Sequence, residues 1–347
     1  MRKLILTIAA LALLAAAAWF FGQRYIASVM HTPGPHKSAV TLEVRPGMGV
    51  RAVLTELERA GALQNAGAVA LELRRRGSPT IKAGRYEIPA RATPAEILAQ
   101  LAAGRVVLES LTIVEGWTFA DMRRAIAKHA EIDHTLAGKT DAELMRAIGH
   151  AGEQPEGRFL PDTYRFAAGS TDVAILRLAY DRLQTVLTDA WDKRTDNLPL
   201  KSPYEALILA SIVEKETGLA RERPQIAGVF TSRLRKGMRL QTDPTVIYGL
   251  GERYDGNIRE RDLRSDTPYN TYTRSGLPPT PIALAGADAI VAATQPLETG
   301  HLYFVATGLP DGSHAFSRTY EEHNKALQQY LARLRSNRSG STSSSQP

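Results

Sequence analysis

The sequence predicts an α+β protein with an N-terminal transmembrane helix, and three observations carry that prediction. An uncharged apolar run extends from Leu4 to Gly22. Beyond it, short alternating segments are interleaved with segments whose apolar residues recur at helical spacing. Near Thr242 the composition then shifts to Tyr, Thr, Asn, Pro and Gly, the mark of long shaped loops.

The apolar run is about as long as a bilayer-crossing helix requires, ~20 residues. Arg2 and Lys3 precede it and Arg24 follows it. That charge order favours an inside amino terminus, with the rest of the chain outside the cytoplasm. Trp19, Phe20 and Phe21 close the run like an interfacial aromatic belt. The competing reading is a cleaved signal peptide ending near Ala15-Ala16-Ala17, but the apolar stretch continues past those alanines. Both readings export the chain. Residues 1–23 are therefore expected to be a cytoplasmic stub and anchor, and residues 24–39 a linker, because Thr32-Pro33-Gly34-Pro35 disfavours regular structure.

Val40 to Val44 alternates like a strand, and Gly47-Met48-Gly49 turns the chain. Val50, Val53, Leu54 and Leu57 then mark one helical face. Ala68 to Leu73 reads as a second helix and Gly84 to Ile88 as a returning strand. Strand, helix, helix, strand is the order of a LysM-like module, expected over residues 40–107. Thr93-Pro94-Ala95-Glu96 opens a further helix with a capping box.

Val106 to Val114 is strand-like, and Thr118 with Asp121 caps a helix reaching about Ala130. Ile132 to Gly157 is weakly patterned. Asp172 to Trp191 reads as an amphipathic helix burying Val173, Leu176, Leu178, Leu183, Val186 and Leu187. Ser202 to Thr217 is the clearest helix: Ser202 caps it, Pro203 takes its first position, Glu205 completes the box, and Gly218 should end it in a left-handed conformation. Helices are also expected at Gln225 to Arg235, Ala287 to Thr294 and Tyr320 to Leu334, with a strand at His301 to Val305. The Ser-rich segment 336–347 should be a disordered tail.

Composition narrows the chemistry. The 347 residues carry a net charge of +7, which favours anionic partners. The one tight basic run, Arg74-Arg75-Arg76, ends a helix and is read as solvated rather than as a nucleic-acid contact. With no cysteine, disulfides, thiolate metal sites and a cysteine nucleophile are excluded. The eight histidines include no pair at metal-ligand spacing on a helix, and no Gly-rich phosphate loop is present. Neither a metal nor a cofactor is expected.

On the helix Ser202 to Thr217, Ala206, Leu209, Ile212 and Val213 share one stripe at about 100° per residue. Glu216 projects from the middle of that stripe, whereas Glu214 points toward the polar side. A carboxyl held among apolar groups resists ionisation and can act as a general acid near neutral pH. The alternative is a Glu216 on a frayed last turn, paired with Arg221 or Arg223. Downstream, Leu240 to Thr245 and Tyr269 to Tyr272 combine amide, hydroxyl and aromatic groups. These suit sugars, although turn chemistry and packing give the same composition. His314, His323 and Asn324 could be polar site residues, but read more simply as surface positions.

Several ordered motifs resemble the MltG (YceG-like) endolytic murein transglycosylases along nearly the whole chain. They are Glu156 to Tyr164, Ala210 to Thr217, Arg239 to Gly249, and Tyr269 to Tyr272 leading to Gly276-Leu277-Pro278-Pro279. Tyr303 to Ala306 and His323-Asn324 complete the set. The resemblance implies a YceG-like catalytic domain over residues 108–335, in a single-pass inner-membrane protein facing the periplasm. It implies cleavage between N-acetylmuramic acid and N-acetylglucosamine in peptidoglycan strands, with 1,6-anhydro ends. It maps the catalytic glutamate to Glu216 and places Gln241, Asp243, Tyr269, Asn270 and Tyr272 in the substrate groove. Peptidoglycan synthases such as penicillin-binding proteins are the implied partners. Two rival readings remain: a muramidase activating water through Asp243 or Glu214, and a non-catalytic wall-binding tether.

Overall fold

The computed structural model describes residues 2–45 and 47–343. The chain forms two compact units, Met1–Glu109 with Arg165–Ser170, and Ser110–Tyr164 with Thr171–Pro347.

Unit 1 begins with α1 (Arg2–Val29). Its segment Ala10–Val29 is long and apolar enough to cross a membrane, and no residue of it before Val29 is buried inside the protein. The segment expected as a linker, residues 24–39, is helical as far as Val29 and beyond it is held in place. Val29 and Met30 enter the unit 1 core. The Ala95 N–H donates to the Met30 carbonyl at 3.0 Å and the Gly34 N–H to the Ala92 carbonyl at 3.2 Å. His36 is buried and its Nε2 donates to the Pro89 carbonyl at 2.6 Å. Pro33 and Pro35 forbid regular structure but not packing, because backbone groups that lack ladder partners still find acceptors across the chain.

β1 (Val40–Val44), α2 (Val50–Arg59), α3 (Ala66–Arg76) and β2 (Gly84–Ile88) follow in the expected order. β1 and β2 pair antiparallel, with Leu42 opposite Tyr86 and Val40 opposite Ile88. The alternation of each strand turns Leu42, Val44, Tyr86 and Ile88 onto Val53, Leu54, Leu57, Val69 and Leu73 of the helices. α4 (Pro94–Ala103) completes this core with Ile97, Leu98 and Leu101 behind a formed Thr93–Glu96 capping box. Each fully buried Leu or Ile contributes about 2 kcal/mol of burial.

The remaining elements, in chain order, are β3 (Leu108–Thr112), α5 (Phe119–Lys128), β4 (Ile132–Asp133), α6 (Asp141–Ile148), β5 (Thr163–Ala167), β6 (Ser170–Thr171), α7 (Asp172–Asp192) and α8 (Pro203–Glu216). α9 (Arg223–Arg235), α10 (Asp243–Leu250), α11 (Glu260–Arg264), α12 (Ala287–Thr294), β7 (Tyr303–Ala306), β8 (His314–Ser317) and α13 (Tyr320–Ser343) follow.

Four expectations need correction. The weakly patterned stretch holds α6, started by a capping box of Thr140 and Glu143. The segment expected as loops holds α10 and α11, too short for a clear periodic signal. On α7 the buried residues include Ile175, Leu176, Ala179, Tyr180, Leu183 and Leu187, while Leu178 is 41% exposed. Leu178 lies about 200° around the helix from Leu176, so both cannot face one core. The backbone of α13 continues to Ser343, into the segment expected as a disordered tail, since no proline interrupts it. Residues 344–347 lie outside the described residues.

At the centre of unit 2 is α8, packed by α7, α9, α10 and α12. Every residue from Ala206 to Val213 is buried. The single apolar stripe expected for α8 is therefore wrong: it is apolar around its circumference because other helices surround it. α9 approaches the chain closely at Gly228, where a Cβ would stand 2.1 Å from the Leu297 carbonyl oxygen.

Candidate active site

Ser202 starts α8 by accepting the Glu205 N–H at 3.3 Å, and Pro203 takes the first helical position. Glu205 reaches back to the Lys201 N–H at 2.6 Å, so the box is closed one residue earlier than expected. The helix ends at Glu216 because Thr217 is extended (φ −145°, ψ 136°), and Gly218 plays no left-handed role. Termination here leaves Glu216 on the last turn of a buried helix, aimed at the loop that follows α9.

Thr242 meets it. This buried side chain donates its hydroxyl hydrogen to Glu216 Oε1. Thr242 is itself fixed: its N–H donates to Thr271 Oγ1 at 3.1 Å, and its carbonyl accepts from Thr245 Oγ1 at 2.8 Å. Gln241 adopts a left-handed φ of 49° and donates its N–H to the Thr271 carbonyl at 3.2 Å. The two motif loops thus close on each other beside the carboxyl.

Glu216 as a residue is half-buried, yet its carboxyl end is enclosed by protein, and that burial pushes its pKa up to about 7. The negative Asp243 pushes in the same direction; the Thr242 hydroxyl, His314 and Arg233 oppose it. Among the described residues no cation forms an ion pair with Glu216. Arg221 pairs with Asp311, and Arg223 pairs with Glu214 at 3.0 Å, Glu115 at 3.1 Å and Asp288 at 3.6 Å. The alternative of a Glu216 neutralised by either arginine therefore fails.

Glu214 departs from expectation in the other direction. Its side chain is only 5% exposed, held by Arg223 and by the Gly286 N–H at 3.0 Å. Burial raises its pKa despite those two partners. It is a structural brace between α8, α9 and the start of α12, not a solvent-facing carboxylate.

Among the other expected site residues, Gln241 and Asp243 are exposed at the start of α10. Tyr272 is half-buried and donates its phenol to Asp243 Oδ1 at 2.5 Å. Burial, then Asp243, raises the Tyr272 pKa. Tyr269 packs edge-on against Tyr248 at 4.8 Å between ring centroids, and its hydroxyl meets Thr280 Oγ1 at 2.9 Å. Asn270 is placed differently. It is 1% exposed, and its Nδ2 donates to the carbonyls of Asp262, Leu263 and Ser265 at 3.2, 3.0 and 2.7 Å. Its Oδ1 accepts the Tyr272 N–H at 2.9 Å. With both amide hydrogens donated to loop carbonyls and the side chain buried, Asn270 shapes the loop.

Family membership follows from the comparison with known proteins. The sequence model of the YceG-like family matches residues 42–329. The chain belongs to the YceG-like family. It is similar to a Bacillus subtilis protein named endolytic murein transglycosylase, 28% identical over 313 residues, 85% of this chain and 86% of that one. A Streptococcus pneumoniae protein of the same name is 26% identical over 354 residues, 92% of this chain but 64% of the longer relative. The fold resembles the crystal structure of a YceG-like protein from Listeria monocytogenes, with a TM-score of 0.50 and 30% identity, covering 83% of this chain and 99% of that one.

This YceG-like chain also places near Glu216 a group that sequence reasoning missed, Arg233, and one that it read as a surface position, His314. Arg233 is buried beneath the Tyr303 ring, 5.2 Å from its centroid, and donates to the carbonyls of Leu302 at 2.6 Å and Leu240 at 2.7 Å. His314 is held by Glu222, Nδ1 to Oε2 at 2.7 Å. No local pattern marks Arg233, one of two arginines in the last turn of α9. A second buried acid, Glu156, lines a groove with Phe119, Tyr248, Tyr269 and Thr280. Burial pushes Glu156 up to about 7 as well, although the N–H groups of Phe119 and Gly157 and the Tyr248 hydroxyl all donate to it.

Proposed function

We propose that this chain is an endolytic lytic transglycosylase that cuts peptidoglycan strands between N-acetylmuramic acid and N-acetylglucosamine. One observation carries the reading: a carboxyl at the end of the buried helix α8, half protonated at pH about 7 and free of any ion pair among the described residues. The names of the bacillary and pneumococcal relatives support it.

In this mechanism Glu216 gives its proton to the bridging oxygen, which keeps the electron pair of the breaking bond. Positive charge develops at the muramic acid anomeric carbon. The ionised Glu216 then takes the proton of that sugar's own 6-hydroxyl, whose oxygen closes on the anomeric carbon. Glu216 is protonated again and the product carries a 1,6-anhydro end. An internal nucleophile benefits from high effective molarity, so a single carboxyl suffices where most glycosidases use two. Asp243 and the Tyr272 phenol supply negative and polar character beside the developing cation, and Gln241 and Tyr269 contribute to the groove.

The strand–helix–helix–strand order of unit 1 supports a LysM-like, wall-binding module. With α1 as an inner-membrane anchor and both units in the periplasm, the enzyme would cut newly made strands beside the synthases and end their elongation. Exposed Asp243 favours one rival, a muramidase that activates water.

Digestion of purified glycan strands, with product masses read out, tests the reading. Wild type should yield anhydro ends, lighter by one water than the reducing ends of a hydrolase. Glu216→Gln should lower the rate at least about 100-fold, the usual contribution of a general acid. Reducing ends from the wild type, or an active Glu216→Gln, would remove it.

A further inference from the structure

The Arg74-Arg75-Arg76 run reads from the sequence as a solvated helix end, but the fold gives it a neighbour. α1 packs against α3, and a cleft between them is lined by Phe20, Arg24, Ala27, Glu72, Arg75 and Arg76. The Glu72 side chain is 3% exposed and faces two guanidinium groups, Arg76 at 2.5 Å and Arg75 at 3.4 Å. One carboxylate cannot neutralise both. Arg24 adds a third cation, with no carboxylate partner among the described residues. The cleft therefore holds an excess of two positive charges.

Its height relative to a bilayer follows from α1. Trp19, Phe20 and Phe21 are 71%, 56% and 68% exposed, so most of each ring is left uncovered. Aromatic residues at the end of a membrane span sit at the interface. Arg24 lies three to five residues beyond them, about 5–8 Å along the helix axis. A headgroup layer is about 5–8 Å thick on each side of the hydrocarbon. Val29 and Met30 are locked into the unit 1 core, so α3 cannot swing away from that level.

We infer that the cleft between α1 and α3 binds the phosphate of an anionic phospholipid in the leaflet that unit 1 faces. A phosphodiester carries one negative charge and presents oxygens that match guanidinium forks. A zwitterionic headgroup brings its own ammonium, which the excess positive charge repels. Lipid would thus hold unit 1 against the membrane surface. The inference rests on α1 spanning a bilayer, and is independent of the activity proposed above.

The test uses the full chain in detergent micelles with equimolar phosphatidylglycerol and phosphatidylcholine of matched chain length, and native mass spectrometry of the retained lipid. Wild type should prefer phosphatidylglycerol by at least about ten-fold. The triple variant Arg24→Gln, Arg75→Gln, Arg76→Gln should lose the preference, while the charge-matched triple Arg253→Gln, Arg261→Gln, Arg264→Gln keeps it. No preference in wild type, or equal loss in both triples, overturns the inference. Should the first triple not fold, a photoactivatable headgroup on phosphatidylglycerol decides in wild type: labelling concentrated on residues 72–76 supports the cleft, and labelling spread over unit 2 overturns it. Alkaline carbonate extraction reports the anchor separately. A chain that stays embedded but shows no lipid preference counts against the cleft alone, and a chain that is extracted removes anchor and cleft together.

Discussion

The Thr242 hydroxyl donates to Glu216 Oε1, joining the end of α8 to the start of α10. That bond favours the ionised carboxylate, against the burial that favours the acid. Glu216 is thus poised by opposing influences, and each can be removed by a single substitution.

Thr242→Val keeps the shape and removes the donor. The Glu216 pKa should then rise above about 7 by roughly one unit, since a hydrogen bond to a charged group is worth about 1.5–3 kcal/mol at most. The alkaline limb of the pH–rate profile should move upward accordingly. An unmoved limb would mean that Thr242 does not tune the acid.

Asp243→Asn should act in the opposite sense. Removing the neighbouring negative charge makes ionisation of Glu216 easier, so the same limb moves to lower pH. The pair of variants separates electrostatic tuning from general damage, because damage cannot shift one pH profile in two directions.

Glu216 should cost stability where it is charged. Its folded pKa of about 7 lies above the ordinary 4.5, so the folded protein binds this proton more tightly than the unfolded chain. Stability is then unaffected below pH about 4.5 and falls as pH rises through about 7. Glu216→Gln should be more stable than wild type by about 1–3 kcal/mol at pH 8 and equal to it at pH 4. Urea unfolding at the two pH values checks this, and an equal difference at both would refute it.

Asn270→Ala should destabilise the protein by about 2–3 kcal/mol by leaving buried carbonyls without donors. Hydrogen exchange should quicken across residues 262–272. Loss of substrate affinity with unchanged exchange would instead restore Asn270 to the groove.

Much of this was legible locally. Strands β1 and β2 and helix α12 lie where alternation and helical spacing place them. The capping boxes at Thr93 and Thr118 formed because they need only residues three apart. The box at Thr140 was equally legible, but the weak pattern around it hid α6. The surroundings of Glu214 and Asn270 were not legible for one shared reason: their partners, Arg223, Gly286 and the carbonyls of residues 262–265, belong to other elements or loops.

By itself the sequence determined the apolar N-terminal helix, the order of most elements and the family motifs, and it singled out Glu216 as a candidate. These depend on neighbours within a few residues, or on motifs that survive as ordered strings. Only the tertiary structure decided that α8 is buried on all sides, that Glu216 escapes ion pairing among the described residues, and that Arg75 and Arg76 share a cleft with Arg24. A side chain's charge state and partners depend on which groups surround it in space, and separation along the chain does not encode that.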